Sequence, residues 1–256
     1  MSTGRTIIIG DVHGCIDELE ALLRHVCLEP RDRLVFAGDL VDRGPASVGV
    51  VRRTRELLAR HPGSVCVAGN HETKALRWRD RGAPREWEQP MREDDWTFLD
   101  SLPLVMRLPE HGATVVHGGV FPAFFERYGR IGEVPPDWRT SRDKRCDRLR
   151  RFVLVRHVDL RGEMTALGSE GPDTVHWTAR YDGREGHVFF GHDPQLGGEP
   201  LQTPSATGLD TACCFGGRLT AAVLHPGQTA AEAEFASVPG TRYAEPRCML
   251  DETGAL

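Results

Sequence analysis

No apolar run in this chain approaches the roughly 20 residues a helix needs to cross a bilayer, and no Gly/Ser or Pro-rich linker divides its 256 residues. The first lack excludes a membrane-spanning helix, and the second favours one α/β domain over 1–236 with a tail over 237–256. The N-terminus, MSTGRTIIIGDVHG, enters a strand-like run within five residues and lacks the charged and apolar regions of a signal peptide. A cytoplasmic protein is therefore expected. Positive charge is not in excess: the net charge of -5 argues against broad nucleic-acid binding, and no stable nucleic-acid complex is expected. Lysine is nearly absent, present only as Lys74 and Lys144, so arginine carries the cationic chemistry. The seven cysteines, an odd number without a C-x-x-C pair, form neither a disulfide framework nor a zinc ribbon.

What is present is a set of short apolar runs, at residues 6–9, 34–37, 65–68, 113–116 and 187–190. Each has strand length and is too short for a helix. Between the first three lie amphipathic patterns at residues 16–26 and 46–60, so strand and helix alternate. That alternation predicts βαβ units and a largely parallel sheet. Residues 93–101 read as a further helix, while 77–107 is otherwise polar and 121–186 irregular. GLDTACCFGGRLTAAVLHPG reads as two strands around a Gly-Gly turn, and residues after Ala236 carry no clear pattern.

Each apolar run is followed by a polar signature: IIIGDVHG, FAGDLVDRG, VAGNHE, VVHGG and FFGHD. In parallel α/β sheets ligands gather at the carboxyl ends of strands, so these endings should converge. Singly each is an ordinary turn. Together they deliver Asp11, His13, Asp39, Asn70, His117 and His192, all oxygen or imidazole donors. That mixture suits two divalent cations of borderline hardness, Mn²⁺ first, with Fe or Zn²⁺ as alternatives.

GDVHG, GDLVDRG and GNHE, spaced by 28 positions from Asp11 to Asp39 and 31 from Asp39 to Asn70 and followed by HGG and GH, resemble one family. It is the phosphoprotein phosphatase branch of the calcineurin-like metallophosphoesterases. The resemblance spans about residues 5–225. It implies a central β-sandwich flanked by α-helices, with a dinuclear metal site at the strand ends. It also implies that Asp11 and His13 hold one metal, that Asp39 bridges both, and that Asn70, His117 and His192 hold the other. His71 is then the general acid, Asp42 the carboxylate that orients it, and Arg43 a phosphate clamp, with Asn70 also touching phosphate. The family leads one to expect a second phosphate-binding arginine, for which Arg156 and Arg180 are the candidates. Glu72 is expected to be structural.

Within that family the signatures divide. GDLVDRG, GNHE and HGG are spelled as in serine/threonine protein phosphatases, whereas bacterial diadenosine tetraphosphatases usually replace the Asp of DRG. Yet GHDPQ, TGLDTACCFGGRLTA and GDVHGCIDELEALL are similar to the diadenosine tetraphosphatase-like (ApaH-like) phosphatases. The implied activity is a metal-dependent phosphohydrolase cleaving phosphoanhydrides of nucleoside polyphosphates, dinucleoside tetraphosphates above all, with caps and polyphosphate as related substrates. The alternative is a serine/threonine protein phosphatase with broad phosphomonoesterase activity, whose partner would be a phosphoprotein. The basic run RTSRDKRCDRLRR, 139–151, is either a solvated helix face or a rim that attracts a polyanion, and the tryptophans are candidates to stack a base.

Overall fold

Strands rich in β-branched residues and short amphipathic helices order the chain from its first described residues. The computed structural model describes residues 4–246. Along the chain come β1 (Thr6–Ile9), α1 (Ile16–His25), β2 (Arg33–Phe36), α2 (Ser47–Arg60), β3 (Val65–Cys66), α3 (Asn70–Asp80), α4 (Glu93–Asp100), β4 (Val105–Leu108) and β5 (Ala113–Val116). There follow α5 (Pro122–Tyr128), α6 (Lys144–Leu149), β6 (His157–Val158), β7 (Met164–Thr165), β8 (Val175–His176), β9 (His187–Phe190), β10 (Leu201–Thr203), β11 (Ala206–Gly208), β12 (Arg218–Leu224) and β13 (Glu234–Pro239). Among the described residues no helix is long and apolar enough to cross a membrane.

Two five-stranded sheets result, in the orders β13-β12-β1-β2-β3 and β10-β11-β9-β5-β4, with a small third sheet, β7-β6-β8. Each large sheet is mixed. β1, β2 and β3 pair in parallel, as do β5, β9 and β11, and antiparallel strands complete the edges. The alternation of side chains along a strand explains the layering. Ile8, Val35 and Val67 from one sheet share a buried cluster with Val115 and Phe189 from the other, so the sheets pack face to face. Ile7, Ile9, Leu34 and Phe36 point the other way, into a larger cluster with Leu19, Leu22 and Leu23 of α1.

The five apolar runs are all strands, and the patterns at 16–26, 46–60 and 93–101 are helices. The single parallel sheet expected from periodicity is instead the helix-flanked pair of sheets implied by the resemblance, with β12 and β13 added antiparallel beside β1 and β4 and β10 added antiparallel at the edges of the other sheet. Three further expectations need correction. GLDTACCFGGRLTAAVLHPG holds one strand and not two: β12 joins β1, β11 ends at Gly208 beside β9, and residues 209–217 cross between the sheets without forming a hairpin. The domain does not end at 236, because β13 continues to Pro239 and Tyr243 N donates to Cys214 O; residues 247–256 of the expected tail lie outside the described residues. The basic run is in part a solvated face, with Arg142 and Lys144 exposed, but several of its cations are engaged. Arg139 pairs with Asp80 and Asp100, Arg148 with Glu163, and Arg145 donates to the Glu133 carbonyl, so these cations tether chain segments.

Candidate active site

The strand endings converge because their backbones are stitched to one another. Val12 N and His13 N donate to Asp39 O at 3.2 and 2.8 Å, and Gly14 N donates to Leu40 O at 2.8 Å. Glu72, fully buried in the first turn of α3, accepts from Asp39 N, Leu40 N, Val41 N and Gly69 N at 2.8 to 3.3 Å. One carboxylate thus ties the GNHE turn to the GDLVD turn, which is the structural role expected of it. On the other side His192 N donates to Asp11 Oδ2 at 3.0 Å and Gly191 N to His117 O at 2.8 Å.

This stitching holds the backbone in a costly shape. His13, Asp39, Asp42, Arg43 and His192 all have positive φ, between 48° and 72°. Side chains other than glycine's avoid that region, at a cost of about 1–3 kcal/mol each. Glycines stand where even a methyl group would collide: a Cβ on Gly191 would lie 1.9 Å from Asp11 Oδ1, and one on Gly69 2.1 Å from Asp39 Oδ1.

The imidazoles show what the site can hold. His13 Nδ1 donates to Val41 O at 2.9 Å, which leaves the lone pair of Nε2 facing Asp39 Oδ2 at 3.6 Å and Asp11 Oδ2 at 3.9 Å. His117 Nδ1 donates to Ala37 O at 2.8 Å, so its Nε2 faces Asp39 Oδ2 at 3.3 Å and Asn70 Oδ1 at 2.9 Å. His192 Nδ1 also reaches Asn70 Oδ1, at 2.8 Å. Asp11 Oδ1 is buried without a hydrogen-bond partner. Acceptors that face acceptors in a buried site call for cations between them. The donors form two groups sharing Asp39: Asp39 with His117 and His192, and Asp39 with His13 and His71. Asp11 adds to the second group through its unpartnered Oδ1 and through Oδ2, 3.9 Å from His13 Nε2, while His71 faces Asp39 Oδ2 with Nε2 at 3.9 Å and holds Asp42 Oδ2 with Nδ1 at 2.6 Å.

Electrostatics agrees. Burial, then the charges of Asp210 and Asp39, hold the Asp11 carboxyl well above the usual carboxylate range. Burial also works against ionised Asp39, but His117, His71 and His13 outweigh it and keep this carboxyl well below that range. Burial and His71 push His13 down to about 3, and burial and Arg156 push His192 well down. Both rings are therefore neutral near pH 7 and able to ligate a metal.

Around these donors the pocket is lined by Arg43, His71, Arg156, Pro194, Asp210 and Phe215. The Arg43 guanidinium lies over the Phe215 ring, 4.9 Å from its centroid. Arg156 donates to His192 O at 2.8 Å and approaches Asp193 Oδ1 at 3.6 Å. Arg180, at the end of the short turn Trp177–Arg180, is not among the residues that line the pocket: its guanidinium donates to Leu160 O at 3.3 Å. Sequence reasoning gave no role to Asp210, which burial and the Asp39 charge raise to about 6 against a hydrogen bond from Ala212 N, nor to Phe215 or Asp193. The signal for the first two was present in the quoted motif TGLDTACCFGG.

The profile of the family described as calcineurin-like phosphoesterase matches residues 4–196. A symmetrical bis(5'-nucleosyl)-tetraphosphatase of Chromohalobacter salexigens is 31% identical, over 91% of this chain and 99% of its own. An asymmetrical bis(5'-nucleosyl)-tetraphosphatase of Anoxybacillus flavithermus is 30% identical, over 91% of this chain and 94% of its own. Among solved structures, a crystal structure of a candidate diadenosine tetraphosphatase superposes with a TM-score of 0.68 at 33% identity, covering 93% of this chain and 95% of the other.

Proposed function

The chain belongs to the calcineurin-like phosphoesterase family of metal-dependent phosphohydrolases, and from that premise we propose that its substrates are dinucleoside polyphosphates, cleaved at a phosphoanhydride. The observation that carries this reading is the likeness, at 30 and 31% identity over 91% of the chain, to two tetraphosphatases. Asp11, His13 and Asp39 would hold one divalent cation, and Asp39, Asn70, His117 and His192 a second, Mn²⁺ being the proposed ion with Fe or Zn²⁺ as alternatives. When bound, such ions supply Lewis acidity toward phosphoryl oxygens and make water nucleophilic at neutral pH.

The chain's own residues do the rest. Arg43 and Arg156 bind non-bridging phosphoryl oxygens, and the planar guanidinium suits that geometry. Arg43 is kept flat by Phe215, and Arg156 is turned by Asp193. Water attacks phosphorus and forms the new P–O bond, giving up a proton to solvent, as the bond to the departing oxygen breaks. His71 Nε2 gives its proton to that oxygen, while Nδ1 stays bonded to Asp42 Oδ2. A cytoplasmic setting goes with this substrate class.

The test is direct: the Mn²⁺-loaded protein is incubated with diadenosine tetraphosphate and, separately, with a phosphoserine peptide. Nucleotide products with little peptide turnover are expected. Turnover of the peptide alone would replace this reading by the second one, a serine/threonine protein phosphatase. A specific observation favours that second reading: Asp42 is retained and engages His71 at 2.6 Å, an arrangement suited to protonating a poor leaving group such as a serine alkoxide.

A further inference from the structure

The segment 82–92, between α3 and α4, has no regular structure, yet it is fastened at several points. Glu88 Oε1 accepts from Val48 N and Gly49 N at 2.8 and 3.2 Å, satisfying two of the open donors in the first turn of α2. Arg52, from α2, donates to Gln89 Oε1 at 2.7 Å and Pro90 O at 3.3 Å. Trp87 packs on Trp96 of α4 with ring centroids 5.8 Å apart. Thus held, the segment passes behind the Asp42–His71 pair.

There it delivers two donors to one oxygen. Trp87 Nε1 donates to Asp42 Oδ1 at 3.0 Å, and Arg85 Nε meets the same Oδ1 at 3.0 Å, its guanidinium lying 5.4 Å from the Trp78 ring centroid. The other oxygen, Oδ2, takes His71 Nδ1. Asp42 itself sits at φ 72°, with its N–H on Ser47 Oγ at 2.9 Å. A carboxylate turns freely about its Cβ–Cγ bond when it is bound at one oxygen only. With both donors on Oδ1 the plane is fixed, and Oδ2 has a single direction left.

We infer that Trp87 and Arg85 are positioning residues: through Asp42 they fix the ring of His71 so that Nε2 addresses the departing oxygen. This rests on the reading of His71 as the acid. Neither residue touches the pocket, so each acts on the rate of bond breaking and not on substrate affinity. The tryptophan therefore serves as an indole N–H donor, a role different from stacking a base.

Trp87→Phe keeps the ring against Trp96 and deletes the N–H; Arg85→Gln alters a side chain that is 38% exposed and carries little folding burden. Both are compared with wild type, with His71→Asn and with each double variant, on whichever of diadenosine tetraphosphate or the phosphoserine peptide is turned over. Each single variant is expected to lower kcat about tenfold, with KM within about twofold, out of the hundredfold or more that His71→Asn removes. In the His71→Asn background the same changes should cost nothing, because residues that act through one group are not additive. Equal losses in both backgrounds, or no loss in either, would overturn the inference while leaving His71 as the acid. An undiminished kcat in His71→Asn would overturn both.

Discussion

Two arginines line the pocket on different supports, and the difference predicts different failures. Arg43 rests on an aromatic face and sits in a left-handed turn, whereas Arg156 depends on Asp193, which His176 Nε2 also approaches, at 3.4 Å. A hydrogen bond to a charged group is worth about 1.5–3 kcal/mol. Arg43→Ala and Arg156→Ala should each raise KM by about tenfold to a hundredfold, measured by steady-state kinetics on diadenosine tetraphosphate. Asp193→Asn should reproduce part of the Arg156→Ala effect, because it removes the charge that turns the guanidinium. Arg180→Ala should match wild type, since its side chain ends on the Leu160 carbonyl away from the pocket. If Arg180→Ala lost activity as Arg156→Ala does, the assignment of the second phosphate-binding arginine would be reversed.

The turns between elements, more than the elements themselves, carry the site, and Glu72 is their common anchor. Its removal by Glu72→Ala would leave four backbone donors without their acceptor, each costing about 1–3 kcal/mol when buried. The expected result is a lowered denaturation midpoint together with loss of bound metal, since Asp39 would be freed from its left-handed turn; full metal content in a destabilised variant would limit Glu72 to folding alone. Gly191→Ala tests the opposite side: its Cβ would meet Asp11 Oδ1 and displace that carboxylate, so metal content should fall while secondary structure, followed by circular dichroism, stays intact. This division between elements and turns also explains how far the sequence could be read. The strands before each signature, and the meeting of Asp11, His13, Asp39, Asn70, His117 and His192, were legible because apolar runs ending in donors are local patterns. The α3 helix was not foreseen, because its first turn is spent on Asn70, His71 and Glu72 and only Ala75 and Leu76 are left to mark a buried face. The roles of Asp193 and Trp87 were hidden for another reason. Each works through a partner far away in the chain, Trp87 meeting an aspartate 45 positions earlier, and no local period records such a contact.

For the molecule as a whole, the site is a collection of buried ionisable groups, and burial disfavours the charged forms of its carboxyls. Burial and the Asp39 charge raise Glu72 to about 7, burial with Asp210 and Asp39 raises Asp11 well up, and the Asp39 charge lifts His117 against its burial. Near neutral pH Glu72 in the folded apoprotein still holds part of a proton that the unfolded chain has released, and the upward shifts of Asp11 and His117 act in the same direction. His13 and His192, whose values are lowered, are by then neutral in both states and no longer contribute. Stability falls with rising pH wherever the folded state binds more protons, so the metal-free protein should lose stability as pH rises through about 7, the value of Glu72. Cations held by Asp11, Asp39 and the imidazoles would favour the deprotonated forms and oppose that loss. Saturating Mn²⁺, about a thousandfold above its Kd, adds about 4 kcal/mol and should raise Tm by on the order of 10 °C at pH 8, with a smaller gain at pH 6.5. Differential scanning calorimetry of chelator-treated and reloaded protein at both pH values decides the matter. A metal-induced gain that is the same at pH 6.5 and 8 would mean that the cations are not bound by these proton-retaining donors.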